Sequence, residues 1–314
     1  MKKVLHVTRG YLAGVASNIS KAVEYYFPGN FSFKWVPTRL YDSDLVSFNY
    51  RVAEADIIHW HNWIDHKIIL GTSKTKKHII HYHSEPMNTD ILDPVRVKEK
   101  LPFVKQLVVA QYQAALNTYK DCQPIRNVVY IPGTWIDIDA ETYSNGGTDK
   151  IKIAFSPSSA NFNIWQNKDP ARHMSLIQRV SRILRNQGVE VDIELITNTT
   201  YRECIWRKSR CDIVMDECVT PSFHLSSLEG LALGKMTVCW VDDKVNSVLT
   251  NITGADSNPF HGDYIGWLED ILIEKLTSGR EYIRKQGMLA SEWYKKYWNP
   301  RDIAADYCNV YTNL

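Results

Sequence analysis

The sequence predicts an α/β protein built from two doubly wound parallel sheets, and three observations carry that prediction. Apolar runs alternate with segments of helical period through most of the chain, as expected where parallel strands are buried on both faces by crossover helices. The alternation pauses after Ile136, where a polar, glycine-bearing stretch from Asp137 to Asp149 precedes a fresh start at Ile151. Length agrees: domains cluster near ~100–150 residues, so 314 residues with 44% hydrophobic content can fill two ordinary cores.

Each element follows from its local pattern. In the first half Val4–Thr8, Phe33–Val36, Ala55–Trp60, Lys77–Tyr82, Leu107–Val109 and Val128–Ile131 read as strands, with a helix from about Val15 to Tyr26 after the first. The second half repeats the alternation: strand 151–155, helix near 170–187 ending at Gly188, strand 191–196, a short helix near 201–208, strand 212–215, helix 226–233 and strand 236–241. These boundaries give a first Rossmann-like domain over 1–148 and a second over 149–290. The last stretch is helical in period, rich in Trp293, Tyr294, Tyr297 and Trp298, and interrupted at Asn299-Pro300. A helix broken at a proline fits a segment, assigned to 291–314, that crosses back to the first domain.

Composition narrows the function classes. The 37 basic residues stand against 35 acidic ones, a formal charge of +2, so global electrostatics do not announce a nucleic-acid protein and any polyanion must be held locally. The 10 Trp and 17 Tyr favour a protein that encloses organic ligands. The six cysteines form no CxxC pair and match no zinc spacing, which marks them as reduced core thiols. The first residues lack the apolar run of a signal peptide, and no stretch approaches the ~20 apolar residues of a membrane span. A cytoplasmic location is expected.

The most informative segment is DIVMDECVTPSFHLSSLEGLALGKMTVCWVD, from Asp212 to Asp242. Ser226, followed three residues later by Glu229 and an apolar helical run, is a capping-box pattern, so a helix should begin at Ser226. Gly234-Lys235 closes that helix and feeds a buried strand. Its N-terminus should then lie at the rim of an open α/β sheet, where free N–H groups attract phosphate. The alternative is that Glu229 merely caps its own helix.

Ser-Ser-Leu-Glu-Gly-Leu-Ala-Leu-Gly-Lys-Met-Thr-Val-Cys resembles the LEAMALGKPVI segment of the GT-B-fold retaining glycosyltransferases of the family 4 type (glycosyl transferases group 1), and CDIVMDE resembles their ADIVVDQ strand. MKKVLHVTRGYLAGVA at the start, ADIIHWHN at 55–62, HIIHYHSEP at 78–86 and VVYIPGTWID at 128–137 resemble further family segments in the same order. The resemblance implies a GT-B architecture, two Rossmann-like domains facing a cleft, and metal-independent transfer of a sugar with retention from a nucleotide-diphosphate donor to a glycan, lipid-linked or other hydroxyl acceptor. It implies a UDP- or GDP-sugar co-substrate and no other cofactor. Of the family's two glutamates eight positions apart, Glu229 matches the one that contacts the nucleotide ribose, while the sugar-contacting position falls on Pro221.

Further roles come with the resemblance. His83 matches the histidine of the first domain near the transferred sugar, and Glu229 and His83 are its catalytic candidates. Donor contacts fall on Gly14, Ser158, Lys168, Ser226, Ser227, Leu228 and Glu229. Lys168 matches a diphosphate-binding lysine; the partner arginine is missing, leaving Ser158, Ser159, Asn161 or Arg172 to replace it. Gly10 and Gly14 flank a turn that is not GxGxxG, so a nicotinamide or flavin dehydrogenase loses its best support.

No metal is assigned. On a strand His81 and His83 share one face and His78 takes the other, which leaves that cluster without a clear third ligand. His59 and His61 likewise share a face; a combined four-histidine site is the alternative. Two other functions share the fold: glycosyl transfer to a nucleic-acid base, suggested by basic residues from Lys74 to Lys105, and a catalytically silent sugar-nucleotide-binding protein, suggested by Pro221 and the missing arginine. Peripheral membrane contact through the same basic face is a further expectation.

Overall fold

Among the described residues every strand pairing is parallel, as the apolar strands require. The computed structural model describes residues 1–8, 14–84, 93–131, 150–157 and 169–314. The chain divides into one unit made of Met1–Tyr130 with Asn299–Leu314 and a second made of Ile131–Trp298. The boundary expected at 148–149 lies outside the described residues.

The first unit runs β1 (Lys2–Thr8), α1 (Val15–Tyr26), β2 (Phe31–Pro37), α2 (Thr38–Ser43), α3 (Leu45–Glu54), β3 (Ile57–His61), α4 (His66–Thr72), β4 (Lys77–Tyr82), α5 (Pro94–Lys100), β5 (Lys105–Val109) and β6 (Gln123–Ile125). Its sheet has the order β2-β1-β3-β4-β5-β6. Strand order reverses between β1 and β3, the point where open α/β sheets bind ligands beyond the carboxyl ends of their strands. Gly14 caps α1 at φ 77°, a left-handed conformation that a side chain would strain. The core on one face gathers Leu5, Phe48, Ile58, Trp60, Ile80 and Tyr82.

One expected strand is corrected. Val128, Val129 and Ile131 are buried, but no strand forms over 128–131; the sixth strand is Gln123–Ile125. Pro124 removes a ladder donor, which an edge strand tolerates and a central one does not.

The second unit runs β7 (Ile151–Phe155), α6 (Pro170–Arg185), β8 (Val191–Leu195), α7 (Tyr201–Ser209), β9 (Ile213–Met215), α8 (Leu225–Ala232), β10 (Met236–Val238), α9 (Asp243–Thr253), α10 (Leu268–Thr277) and α11 (Gly279–Tyr297). Its sheet has the order β10-β9-β7-β8, so the reversal falls between β7 and β9. α6 stops at Arg185, and Gly188 turns the chain at φ 79°. Ile153, Phe155, Leu176, Val180, Ile213 and Leu272 pack in its core.

The break at Asn299-Pro300 separates α11 from α12 (Pro300–Thr312), whose first turn Asn299 caps through Arg301 N. α12 packs on α1 within the first unit. There Arg126 Nη2 meets Asp306 Oδ2 at 2.6 Å, and Tyr311 OH lies 2.9 Å from His59 Nδ1.

Candidate functional site

The reversal point of the second sheet sets the candidate donor site. β7 ends at Phe155 and β9 at Met215, which places Ser156 and the Asp216-Glu217 pair side by side beyond the strands' carboxyl ends. α8 follows β9 directly, so its N-terminus lies at the same end of the sheet. The approach is close: a Cβ on Gly230 would lie 2.5 Å from Thr237 Oγ1 and 2.9 Å from Val214 Cβ. Glycine at this position is what lets the helix sit against β9 and β10.

Carboxylates hold the loop between β9 and α8. Asp216 Oδ2 accepts from His224 N at 3.0 Å and Ser227 Oγ at 2.5 Å, while its Oδ1 accepts from Glu217 N at 2.9 Å. Glu217 Oε2 accepts from the backbone N–H of both Val219 and Thr220 at 2.9 Å, and the Thr220 hydroxyl donates to its Oε1. From the other side, Cys218 N donates to His173 Nε2 at 2.8 Å. Four backbone donors and two hydroxyls thus occupy acceptors on two buried acids, which makes this loop a rigid floor.

The capping box expected at Ser226 does not form. The helix starts at Leu225, its cap is His224 without a side-chain cap bond, and Glu229 turns to Lys208 instead. Lys208 Nζ donates to Glu229 Oε2 at 2.5 Å, with the two side chains 2% and 5% exposed. The same ammonium reaches Ser226 Oγ at 2.9 Å, and Ser226 Oγ lies 3.2 Å from Ser156 Oγ. Burial alone would pull the Lys208 pKa down, but attraction to Glu229 outweighs it and holds the lysine above its ordinary value. Tyr201 is pushed well up, first by burial and then by the Glu229 charge.

Among the expected donor residues, Ser226, Ser227 and Glu229 therefore meet around the start of α8. Leu228 is fully buried, and Gly14 lies in the other unit. Ser158 and Lys168 lie outside the described residues, as do Ser159, Asn161 and Gly10. Arg172 stands in the first turn of α6, its guanidinium 5.7 Å from the centre of the Tyr264 ring.

The first unit brings together a different set. His6, His59, His61, His81 and His83 share one face of the sheet, with β1 pairing His6 to His59 and β3 pairing His61 to His81. His83 follows the end of β4; its N–H donates to Asn62 Oδ1 at 2.6 Å, and its Nε2 lies 2.9 Å from His61 Nδ1. His61 Nε2 lies in turn 2.8 Å from His6 Nδ1. Burial drives His6 and His83 down to about 3 and His59, His61 and His81 well below the ordinary histidine value, so the rings are neutral at pH 7.

No protein-family model and no curated protein sequence matches the chain. Solved structures do. A sucrose-phosphate synthase from Thermosynechococcus elongatus superposes with TM-score 0.61 over 100% of this chain and 99% of its own, at 11% identity. The catalytic domain of starch synthase IV from Arabidopsis thaliana, bound to ADP and acarbose, gives 0.52 over 98% and 99% at 8% identity. A UDP-GlcNAc 2-epimerase from Neisseria meningitidis bound to UDP-GlcNAc gives 0.51 over 100% of both chains at 10% identity.

The fold is GT-B.

Several residues of this GT-B chain escaped the sequence reading. Asp216 and Glu217 were legible as acids directly after a buried run, the place where doubly wound sheets put their chemistry. Lys208 was not, because an isolated lysine near the end of a short amphipathic helix reads as solvated. His6 was hidden for a similar reason: its role depends on β1 lying beside β3, and strand order is not written in periodicity. Among the described residues no helix is long and apolar enough to cross a membrane.

Proposed function

We propose that this protein is a glycosyltransferase that moves a sugar from a UDP- or GDP-sugar to a hydroxyl of a glycan or lipid-linked acceptor. The observation that supports this reading is the meeting of Ser156, Ser226, the start of α8 and the Lys208–Glu229 pair at the strand-order reversal of the second sheet. Hydroxyls and helix N–H groups aimed at one point suit a diphosphate, whose charge grows as the glycosidic bond breaks. Asp216 and Glu217 sit nearby, but their hydrogen bonds to the loop direct those charges into the protein. Lys168 supplies the cation in this reading, and Glu229, presented by Lys208, takes the nucleotide ribose. Retention of configuration and the part of His83 beside the transferred sugar rest on the family resemblance. No cofactor beyond the donor is invoked.

Two structural neighbours carry ADP and UDP-GlcNAc, which is consistent with a nucleotide site in the same fold. The second of them is an epimerase, so activity has to be read separately from binding. Thermal melts with UDP-, GDP-, ADP-, dTDP- and CMP-sugars test the binding. One nucleotide class at ~100 times its Kd should stabilise the protein by ~2.7 kcal/mol, and Ser226→Ala and Lys168→Ala should weaken that effect. Release of free nucleotide, alone or with acceptor, then tests transfer. Stabilisation without release under any acceptor identifies a silent binding protein, and a panel with no response counts against the donor site altogether.

A further inference from the structure

Buried histidines normally satisfy both ring nitrogens, and this protein shows the rule twice. On the opposite face of the first sheet His78 has Nδ1 3.3 Å from Trp60 Nε1 and Nε2 3.1 Å from Thr72 Oγ1. In the second unit His173 has Nδ1 2.8 Å from Asp169 O, and its Nε2 accepts from Cys218 N.

The five-histidine face breaks the rule. His81 is fully buried, yet neither Nδ1 nor Nε2 has a hydrogen-bond partner among the described residues. His83 Nδ1, His6 Nε2 and His59 Nε2 are also buried without a partner there. A neutral imidazole always carries one N–H, so His81 buries a donor and an acceptor that nothing in this face answers. Leaving such groups unmet is costly, and an apolar side chain of similar size would avoid the cost.

The geometry points to a three-imidazole site for a divalent first-row transition metal ion, held by His61, His81 and His83 at the carboxyl end of the first sheet. One nitrogen from each ring lies within 4.8 Å of the others. Zinc–nitrogen bonds of ~2.0–2.1 Å place tetrahedral ligands ~3.4 Å apart, so the His61–His83 pair, now at 2.9 Å, has to open by only ~0.5 Å. Three imidazoles with a fourth position left to water or an added ligand form a donor set that Zn²⁺ accepts, and Cu²⁺ and Ni²⁺ share the preference for imidazole. His61 then turns Nδ1 to the ion and keeps Nε2 beside His6 Nδ1 at 2.8 Å, the outer contact that fixes a ligating ring.

Backbone geometry supports the same set. His61 and His81 are register partners on adjacent strands, and His83 is anchored through its own N–H by Asn62 Oδ1. Asn62 itself donates its backbone N–H to His81 O at 3.1 Å and takes a positive φ of 55°. The connection from β3 is thereby tied to the end of β4, holding the three rings together before any ion arrives. His83 is half-buried while the other two are enclosed. The site belongs wholly to the first unit and stands whether or not the protein transfers sugar.

Titration of the chelator-treated full chain with Zn²⁺ and with Co²⁺ tests this. The expected result is one ion per chain, with the intense visible bands of four-coordinate Co²⁺. His83→Gln and His81→Asn should weaken binding by more than the ~10–100-fold that loss of an outer-shell partner costs, while His78→Gln on the opposite face leaves it unchanged. Circular dichroism shows that the variants are folded, and half-buried His83 provides the safer of the two if His81→Asn fails to fold. Absence of stoichiometric binding, a six-coordinate Co²⁺ spectrum, or affinity unchanged in His83→Gln overturns the site.

Discussion

Replacing Lys208 by Met while leaving Glu229 in place strands a carboxylate that is 5% exposed. At an effective dielectric near 20, unit charges 2.5 Å apart attract by about 7 kcal/mol, most of it offset by the desolvation of both groups. The pair as a whole therefore contributes little net stability, but removing one member costs about 3–5 kcal/mol because the other remains buried and uncompensated. Lys208→Met also removes the donor to Ser226 Oγ, a loss of about 1 kcal/mol. The assay is a double-mutant cycle in urea, followed by circular dichroism: Lys208→Met, Glu229→Gln and the double variant. We expect each single change to destabilise the second unit by about 3–5 kcal/mol and the double variant to recover at least ~2 kcal/mol of their sum. Additive effects, with a coupling below ~0.5 kcal/mol, would falsify the claim that the two charges support each other. The same cycle bears on donor binding, since a Glu229 that has to reach a ribose must share its carboxylate with Lys208.

Acid should unfold the first unit early. An unfolded histidine takes up its proton near pH 6.5, whereas folded His6 and His83 resist it down to about 3 and His78 to about 4; stability is thus complete above pH 6.5 and falls as pH drops from there toward 3. At pH 5 each such ring costs about 2 kcal/mol, and a melting temperature that stays flat between pH 7.5 and 5 refutes this. Gly230→Ala, whose methyl would crowd Thr237 and Val214, should lower stability by about 1–3 kcal/mol despite the better helix propensity of alanine; a neutral or stabilised melt would mean that the helix can back away from the sheet. Tyr311→Phe deletes the hydroxyl 2.9 Å from His59 Nδ1 and should cost about 1–3 kcal/mol in denaturant melts, and a value near zero would show that His59 finds another partner.

Much of this architecture was legible because parallel strands announce themselves as unbroken apolar runs. Lys77–Tyr82 and Ile151–Phe155 were read with the bounds that the structure gives them. Misreadings came where burial and pairing part company: Val128, Val129 and Ile131 are apolar and buried yet form no strand, while Gln123-Pro124-Ile125 contains a glutamine and a proline and is the strand. The S-x-x-E pattern at Ser226 failed for another reason. Its glutamate had a stronger partner in Lys208, 21 residues earlier, and a charge-assisted contact wins over a backbone N–H. Period-2 reasoning put His59 with His61 and His81 with His83, but the gathering of all five rings needed the strand order as well.

The first unit is closed by a helix that the chain reaches only after completing the whole of Ile131–Trp298. Ribosomes add ~5–20 residues per second, so the nascent sheet waits ~10–30 s for Tyr307 and Tyr311 to cover its histidine face. During that interval the layer of imidazoles stands open to water and to any ion in the surrounding fluid, and it is sealed last. A chain shortened before α12 would therefore be born with its histidine layer permanently uncovered, a natural substrate for chaperones and proteases.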